Sequence, residues 1–271
     1  MGKTSRRNLD IRTALSNRGV LARAALLIKL LRIGVTPSSS LLRTRIGGGL
    51  VVAGYNRDGY GGRGLYLYGE SIEPELLVLG RFLQPGFVFV DVGANVGVYT
   101  TKAAGCVGEN GLVLAIEPFI ETAFRLSCNV RANHLRNVRI RPFCLGAHTC
   151  HERLYLRDNK PNSFSMAKSS GTDSISVLSV SLDDLAYWEK LERMDYLKID
   201  AEGAEQDILS GGARAIGKFR PIVQVETDTA DCNPPPGYRR FAANRSANSV
   251  FIPRENVAAV QIAIDIGWDE K

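Results

Sequence analysis

The sequence is short of the residues that build disulfide and metal scaffolds: it has five cysteines in 271 positions, none in a CxxC pair, and three histidines. An odd, unpaired cysteine count in a chain this long argues against a disulfide framework and for a reducing, cytoplasmic compartment. The one tight group, Cys144, His148, Cys150 and His151, has no distant second pair of ligands of the kind a structural zinc site draws on, so no metal is expected. Also missing is a run of about 18 uncharged apolar residues that could span a bilayer. The most apolar stretch near the start, "NRGVLARAALLIKLLRIGV", is broken by Arg23, Lys29 and Arg32. Those charges fall where a secretory signal needs its apolar region, and Arg6 stands where a myristoylation signal needs Ser or Thr. What remains is a balanced chain, 45% hydrophobic and 23% charged, able to build one large core or two small ones.

Positive charge is plentiful but local. The first 45 residues carry ten Lys or Arg against the single acid Asp10, a net of +9, which leaves −3 on the remainder of a chain whose total is +6. A mildly acidic body lacks the basic groove that tracks a nucleic-acid backbone, so no nucleic-acid partner is expected. Within the basic head, Leu21, Ala24, Ala25, Ile28 and Leu31 recur at helical spacing. A basic amphipathic helix can lie on an anionic membrane surface, giving peripheral membrane contact through residues 1–45, or imitate a transit peptide. Such helices more often pack on their own domain, and packing is the expectation here.

From residue 80 onward, short apolar runs alternate with helical patterns, the signature of βαβ units and a mostly parallel sheet in an α/β fold. Strands are expected at 87–91, 111–117, 137–143, 195–200 and 221–227. Helices are expected at 95–104, 118–134 and 202–216, the last closed by Gly211 and Gly212 in the left-handed conformation. Residues 144–194 form an insertion with two period-two pieces, "RLYL" and "SISVLSV", joined by a polar loop. Before residue 80, "TRIGGGLVVAGYNRDGYGGRGLYLYG" reads as short strands around glycine turns, followed by a helix from about Ser71 to Leu83. No internal repeat is present. The expected division is a basic extension (1–45), a lead-in (46–85) and a main domain (86–271).

"FVDVGANVGVYT" (89–100) ends a strand at Asp91 and runs through Gly93, Asn95 and Gly97 into a helix. In a doubly wound sheet such a turn marks the ligand crevice. The dinucleotide fingerprint is GxGxxG, whereas this order is GxNxG. A pyrophosphate wants bare amides and a helix N-terminus, and a carboxylate at the turn repels it. S-adenosyl-L-methionine carries a sulfonium and an ammonium, so an acid beside amide donors suits that ligand. Glu117 ends the second strand, where an acid can accept hydrogen bonds from both ribose hydroxyls. That position serves nicotinamide enzymes equally and supports an adenosine ligand without choosing among them. Taken singly, Asp91 reads as well as an N-cap and Glu117 as a strand-end charge.

A second acidic turn follows in "YLKIDAEGAEQDILSGG" (196–212). Asp200 ends a strand, Gly203 lets the backbone pass close to something, and Glu202 and Glu205 open the next helix, where acids also favour the helix dipole. Lys198 is the odd member, because a lysine in a central strand must find a partner or lose its charge. Tyr196, Lys198 and Asp200 share one strand face, which makes a Lys198–Asp200 pair the economical solution, with Glu226 as another partner.

These segments, "FVDVGANVGVYT", "AIEP", "SLDDL" and "YLKIDAEGAE", with "LYGESIEPE" upstream and "NSVFIP" near the end, resemble the FkbM-type S-adenosylmethionine-dependent methyltransferases over about residues 64–253. The resemblance implies a class I methyltransferase (Rossmann-like) fold, a doubly wound, mostly parallel seven-stranded sheet with an antiparallel last strand. It implies S-adenosyl-L-methionine as cofactor and methylation of a hydroxyl on a small-molecule or glycan acceptor: a sugar, a glycan unit or a secondary metabolite. Position by position, Asp91, Gly93, Asn95, Gly97 and Glu117 match the donor site, and Lys198, Asp200, Glu202 and Glu205 match the acidic motif near the transfer site. One departure stands in "CLGAHT", where Ala147 replaces the acid that often follows Leu-Gly. Three rivals remain. A nucleic-acid methylase finds only a superficial echo in "NPPPGY" (233–238), whose fourth residue is Pro236 rather than an aromatic. A nicotinamide oxidoreductase is disfavoured by Asp91 and by the middle glycine that this chain lacks, and an inert membrane-surface module would have no use for the full acidic set.

Overall fold

The computed structural model describes residues 20–57, 61–156, 164–165, 174–201, 203–227, 232–244 and 246–271. The chain enters through the helix Val20–Val35 (α1), and then Leu41–Arg45 (β1) and Val51–Tyr55 (β2) pair antiparallel as a two-stranded unit. The glycines of "GGRGLYLY" suggest strand and turn, yet this segment forms the helix Gly62–Tyr68 (α2). Gly62 is needed there for space, since a Cβ would collide with the backbone of Gly54 and Tyr55. A short turn of 3-10 helix, Gly69–Ile72, leads into Pro74–Phe82 (α3), which starts on proline, the residue best suited to a first helical turn.

The main sheet follows. Val88–Val92 (β3), Leu112–Ile116 (β4) and Val138–Arg141 (β5) are separated by the helices Val98–Val107 (α4) and Ile120–Ala132 (α5). A second, four-stranded sheet is built from the insertion: Cys144–Gly146 (β6), Cys150–Leu156 (β7), Phe164–Ser165 (β8) and Ser174–Ser181 (β9), in the order β6-β9-β7-β8. The two period-two pieces therefore pair with each other, Arg153 opposite Ser176 and Leu154 opposite Ile175. The chain returns through Leu182–Trp188 (α6), capped by Ser181 accepting from the Asp184 amide at 3.1 Å, into Tyr196–Ile199 (β10). Glu205–Gly211 (α7), Ala213–Phe219 (α8), Ile222–Glu226 (β11), Tyr238–Ala242 (β12), Asn248–Pro253 (β13), Val257–Asp265 (α9) and Asp269–Glu270 (β14) complete it.

The large sheet runs β14-β12-β13-β11-β10-β3-β4-β5, eight strands where seven are expected; the addition is the two-residue edge strand β14. β5, β4, β3, β10 and β11 are parallel neighbours, while β13 enters antiparallel to β11. β3 is buried at every position, as a strand covered by helices on both faces must be. One core layer gathers Val90, Leu114, Leu197 and Ile208, and the other gathers Leu79, Phe89, Tyr196 and Ile252. Phe89 and Tyr196 stack across adjacent strands with centroids 5.1 Å apart.

The helix expected at 202–216 is two helices broken at Gly212, whose φ of −111° is not left-handed. Glycine is needed there for space: a Cβ on Gly211 would meet the carbonyl of Gly146, and one on Gly212 would meet Leu182. The other surprise is α1. Leu26 is its buried residue, while Leu21, Ala24, Ala25, Ile28 and Leu31, the face expected to pack, all point to solvent.

Candidate active site

The turn after β3 is shaped by three residues with positive φ: Gly93 at 72°, Asn95 at 49° and Gly97 at 87°. A Cβ on Gly93 would run into the carbonyl oxygen of Asp200, so the two acidic turns touch through backbone at this point. A Cβ on Gly97 would run into Leu126 of α5. The amides of Gly93 and Ala94 both donate to the carbonyl of Ile116 at 3.0 Å, and the amide of Asn95 donates to Glu117 Oε2 at 2.7 Å. Gly97 stands as N-cap of α4 with no side chain capping that end.

Glu117 is held from several directions. Its Oε1 accepts from the amide of Phe119 at 3.0 Å and from the Thr122 hydroxyl at 2.9 Å. Burial raises its pKa, and the hydrogen bonds from Phe119, Thr122 and Asn95 oppose that rise. With three bonds already accepted, a carboxylate that offers about four lone-pair sites has room for roughly one more. Clasping both ribose hydroxyls, as expected from sequence, therefore requires one of the present bonds to open.

Strand register brings Asp91 and Lys198 side by side across the β3–β10 ladder. Lys198 Nζ lies 3.4 Å from Asp91 Oδ1 and 3.6 Å from Asp200 Oδ2, so it bridges the two turns. Asp91 is wholly buried, and its Oδ2 accepts from the Thr100 hydroxyl at 2.6 Å. Asp200 keeps 22% of its side chain exposed. The sequence pattern sets Asp91 at the mouth of the turn, facing the ligand. In the structure it lies beneath, as counter-ion to the lysine, and Asp200 is the member of the pair with access to the crevice. Burial drives the Lys198 ammonium towards neutrality, but Asp91, Asp200 and Glu73 outweigh it and hold its pKa above the ordinary lysine value.

Glu205 is fully buried and accepts from the amides of Ala201 and Gly203 at 3.1 and 3.0 Å, so it shapes the second turn from inside. Glu202 lies outside the described residues.

Several residues at the site lie in or near the segments quoted from the sequence without being singled out there. The Lys198 ammonium sits over the Tyr99 ring, 5.0 Å from its centroid. The Tyr99 hydroxyl donates to Glu73 Oε2 at 2.6 Å and accepts from Gln224 Nε2 at 2.9 Å, and Tyr196 donates to Gln224 Oε1 at 2.9 Å. Asn248 Nδ2 reaches Glu75 at 3.1 Å and Glu73 at 3.4 Å. Glu73 and Glu75 belong to the segment "LYGESIEPE", and the start of α3 delivers them to the floor of the site. Of the aromatics that follow β11, Tyr238 and Phe241 are core, while Trp188 of α6 is half exposed. Among the described residues no group of three or more His, Cys, Asp or Glu side chains is placed to hold a metal ion.

Can this site take the expected cofactor? A diphosphate would need the turn's free amides, and those of Gly93, Ala94 and Asn95 are already engaged by the protein. A cationic ligand with an adenosine moiety asks for acids instead, and Asp200 and Glu117 stand at the ends of β10 and β4. The residues fit S-adenosyl-L-methionine.

Strand order and the antiparallel β13 define the class I methyltransferase fold. The model of the Methyltransferase FkbM domain matches residues 91–234, more than half of the chain. The chain belongs to the FkbM methyltransferase family, and its cofactor is S-adenosyl-L-methionine. Among solved structures it is similar to a methyltransferase FkbM from Methylobacillus flagellatus KT, at 17% identity and a TM-score of 0.43, covering 69% of this chain and 51% of that one. It is similar also to a SAM-dependent methyltransferase from Aquifex aeolicus, at 16% identity and a TM-score of 0.37 over 69% and 90% of the two chains. A third is Aeropyrum pernix fibrillarin in complex with S-adenosyl-L-methionine, at 13% identity and a TM-score of 0.35 over 69% and 76%. The match thus spans about half the length of the FkbM structure. No curated protein matches the sequence.

Proposed function

We propose that the protein transfers the methyl group to a hydroxyl of a small-molecule or glycan acceptor, a sugar, glycan unit or secondary metabolite. The observation that carries this reading is the Asp91–Lys198–Asp200 bridge, which sets a partly exposed carboxylate, with its counter-charge fixed behind it, beside the donor turn. The donor supplies a methyl group made electrophilic by its positive sulfur. The chain's own task is to hold the acceptor oxygen in line with that methyl and take its proton. Orientation of this kind supplies about 7 to 11 kcal/mol of a barrier.

A sugar hydroxyl is a poor nucleophile at neutral pH, and a positioned base adds about 10²- to 10⁴-fold. Asp200 and Glu202 are assigned this role, with Lys198 holding the counter-charge. Gly93, Asn95, Gly97 and Glu117 form the donor side, Glu117 at the ribose and the turn at the amino acid end, with Asp91 supporting that turn from beneath as the counter-ion of Lys198. An amino group on a nucleic-acid base is the weaker alternative. "NPPPGY" follows β11 rather than β10 and ends on Tyr238, a core residue. The test is transfer from methyl-labelled donor to a panel of glycans and hydroxylated metabolites, followed by mass spectrometry. Asp200→Asn and Glu202→Gln should each slow turnover by about 10²-fold or more. Near-full turnover in both variants would remove base catalysis from this motif.

A further inference from the structure

Helix α1 shows two unlike faces. One is fixed to the protein: Leu26 is buried, Lys29 Nζ reaches the carbonyl of Leu67 at 3.4 Å and lies over the Tyr66 ring, and Asn56 Nδ2 donates to the carbonyls of Ile33 and Thr36 at 2.9 and 2.7 Å. The opposite face is apolar and uncovered. Val20, Leu21, Leu27, Ile28, Leu31 and Val35 are between 50% and 88% exposed. At about 100° per residue these six fall within one arc of roughly 120°, bordered by Arg32 on one side and Arg23 on the other.

An ordered helix with an uncovered apolar arc needs an occupant, because contiguous apolar surface of this kind marks an interaction site. Charge selects among the candidates. The first 45 residues carry a net of +9. A second copy would bring the same charge against itself. Residues 1–19 carry five Lys or Arg against one acid, a like charge to that of Arg32 at the rim. Lipid is different: acyl chains take the apolar arc while anionic headgroups meet Arg32 at its rim. No helix among the described residues is long and apolar enough to cross a membrane.

We propose that α1 is an in-plane membrane anchor, seating the enzyme on an anionic bilayer surface through the Leu21–Ile28–Leu31 face. The test is co-sedimentation of the full chain with vesicles of phosphatidylcholine alone or mixed with phosphatidylglycerol, at low and high salt. The chain should sediment with the mixed vesicles, less so at high salt, and hardly with the neutral ones. The double variant Ile28→Glu/Leu31→Glu should lose at least about tenfold in partitioning with thermal unfolding unchanged, since both side chains face solvent. Arg32→Glu, on the rim, should weaken binding to mixed vesicles alone and serves if the double variant folds poorly. Equal binding to both vesicle types, no binding at all, or unaltered binding by the variants would overturn the proposal. So would a dimer in light scattering that Ile28→Glu/Leu31→Glu converts to monomer, because a second copy would then be the occupant.

Discussion

Removing the Lys198 charge is the sharpest perturbation the site offers. In Lys198→Met the cation over the Tyr99 ring is lost, and Asp91, wholly buried, loses the ammonium 3.4 Å from its Oδ1. Thr100 still donates to the other oxygen. Breaking a buried ion pair from one side costs about 3–5 kcal/mol, a large part of the roughly 5–15 kcal/mol that holds a domain folded. Asp91→Asn in the same background removes the stranded charge and leaves an oxygen for Thr100. The double variant should therefore be more stable than Lys198→Met, with a coupling of about 2 kcal/mol in a double-mutant cycle. Urea unfolding followed by circular dichroism measures all four proteins. The sign with pH follows from the raised folded pKa of Lys198: its contribution is fully present below the unfolded lysine value of about 10.4 and is lost as pH rises through the higher folded value. The gap between wild type and Lys198→Met should thus stay flat from about pH 6 to 9. A cost below about 1 kcal/mol, or costs that simply add, would show that Asp91 is not the lysine's counter-ion.

Gly93→Ala places a methyl group against the Asp200 carbonyl at a φ of 72°, and should lower affinity for S-adenosylhomocysteine at least tenfold by calorimetry while shifting the melting temperature downward. Asn129→Ala leaves the amide and carbonyl of Ala53 and the carbonyl of Val96 without the partners they now have at 3.0, 2.9 and 2.8 Å. At about 1–3 kcal/mol per stranded group, partly relieved by water, a loss near 3 kcal/mol in urea unfolding is expected.

The parallel strands are legible in the sequence because each is a short run of apolar residues bounded by turn chemistry, and those runs match the observed strands to within a residue or two for most of them. The acids at their ends are legible as well, since Asp91, Glu117 and Asp200 each close such a run. What the pattern does not carry is which strands are neighbours. Spacing along one strand pairs Lys198 with Asp200, two positions away, but its other partner Asp91 is 107 residues distant and is brought alongside only by the β3–β10 register. The same holds for Gln224, Tyr99 and Glu73, which three different segments bring together. Helix α1 misleads for another reason. Helical spacing identifies an apolar face but not the side on which the protein lies, and here the buried side is the narrower stripe around Leu26. The break at Gly212 escapes a reading of glycine as conformational freedom, because packing against Leu182 is what demands it.

Donor selection at this turn rests on amides as much as on acids. Asp91 is neutralised by Lys198 and shielded from the crevice, so its repulsion of a phosphate is weaker than the sequence alone implies. The amides decide the matter. A diphosphate bound in the manner of dinucleotide enzymes would have to free the Gly93 and Ala94 amides from Ile116 and the Asn95 amide from Glu117. At about 1 kcal/mol for each hydrogen bond given up, the three together set a phosphate-bearing ligand back by about 3 kcal/mol, close to two decades of affinity, before any charge is counted. S-adenosyl-L-methionine brings one carboxylate beside its ammonium and sulfonium, so it competes with fewer of those bonds than a diphosphate does. Its positive charges suit a crevice in which Asp200 is the one acid of the bridge with access, and the scaffold of the turn can stay intact.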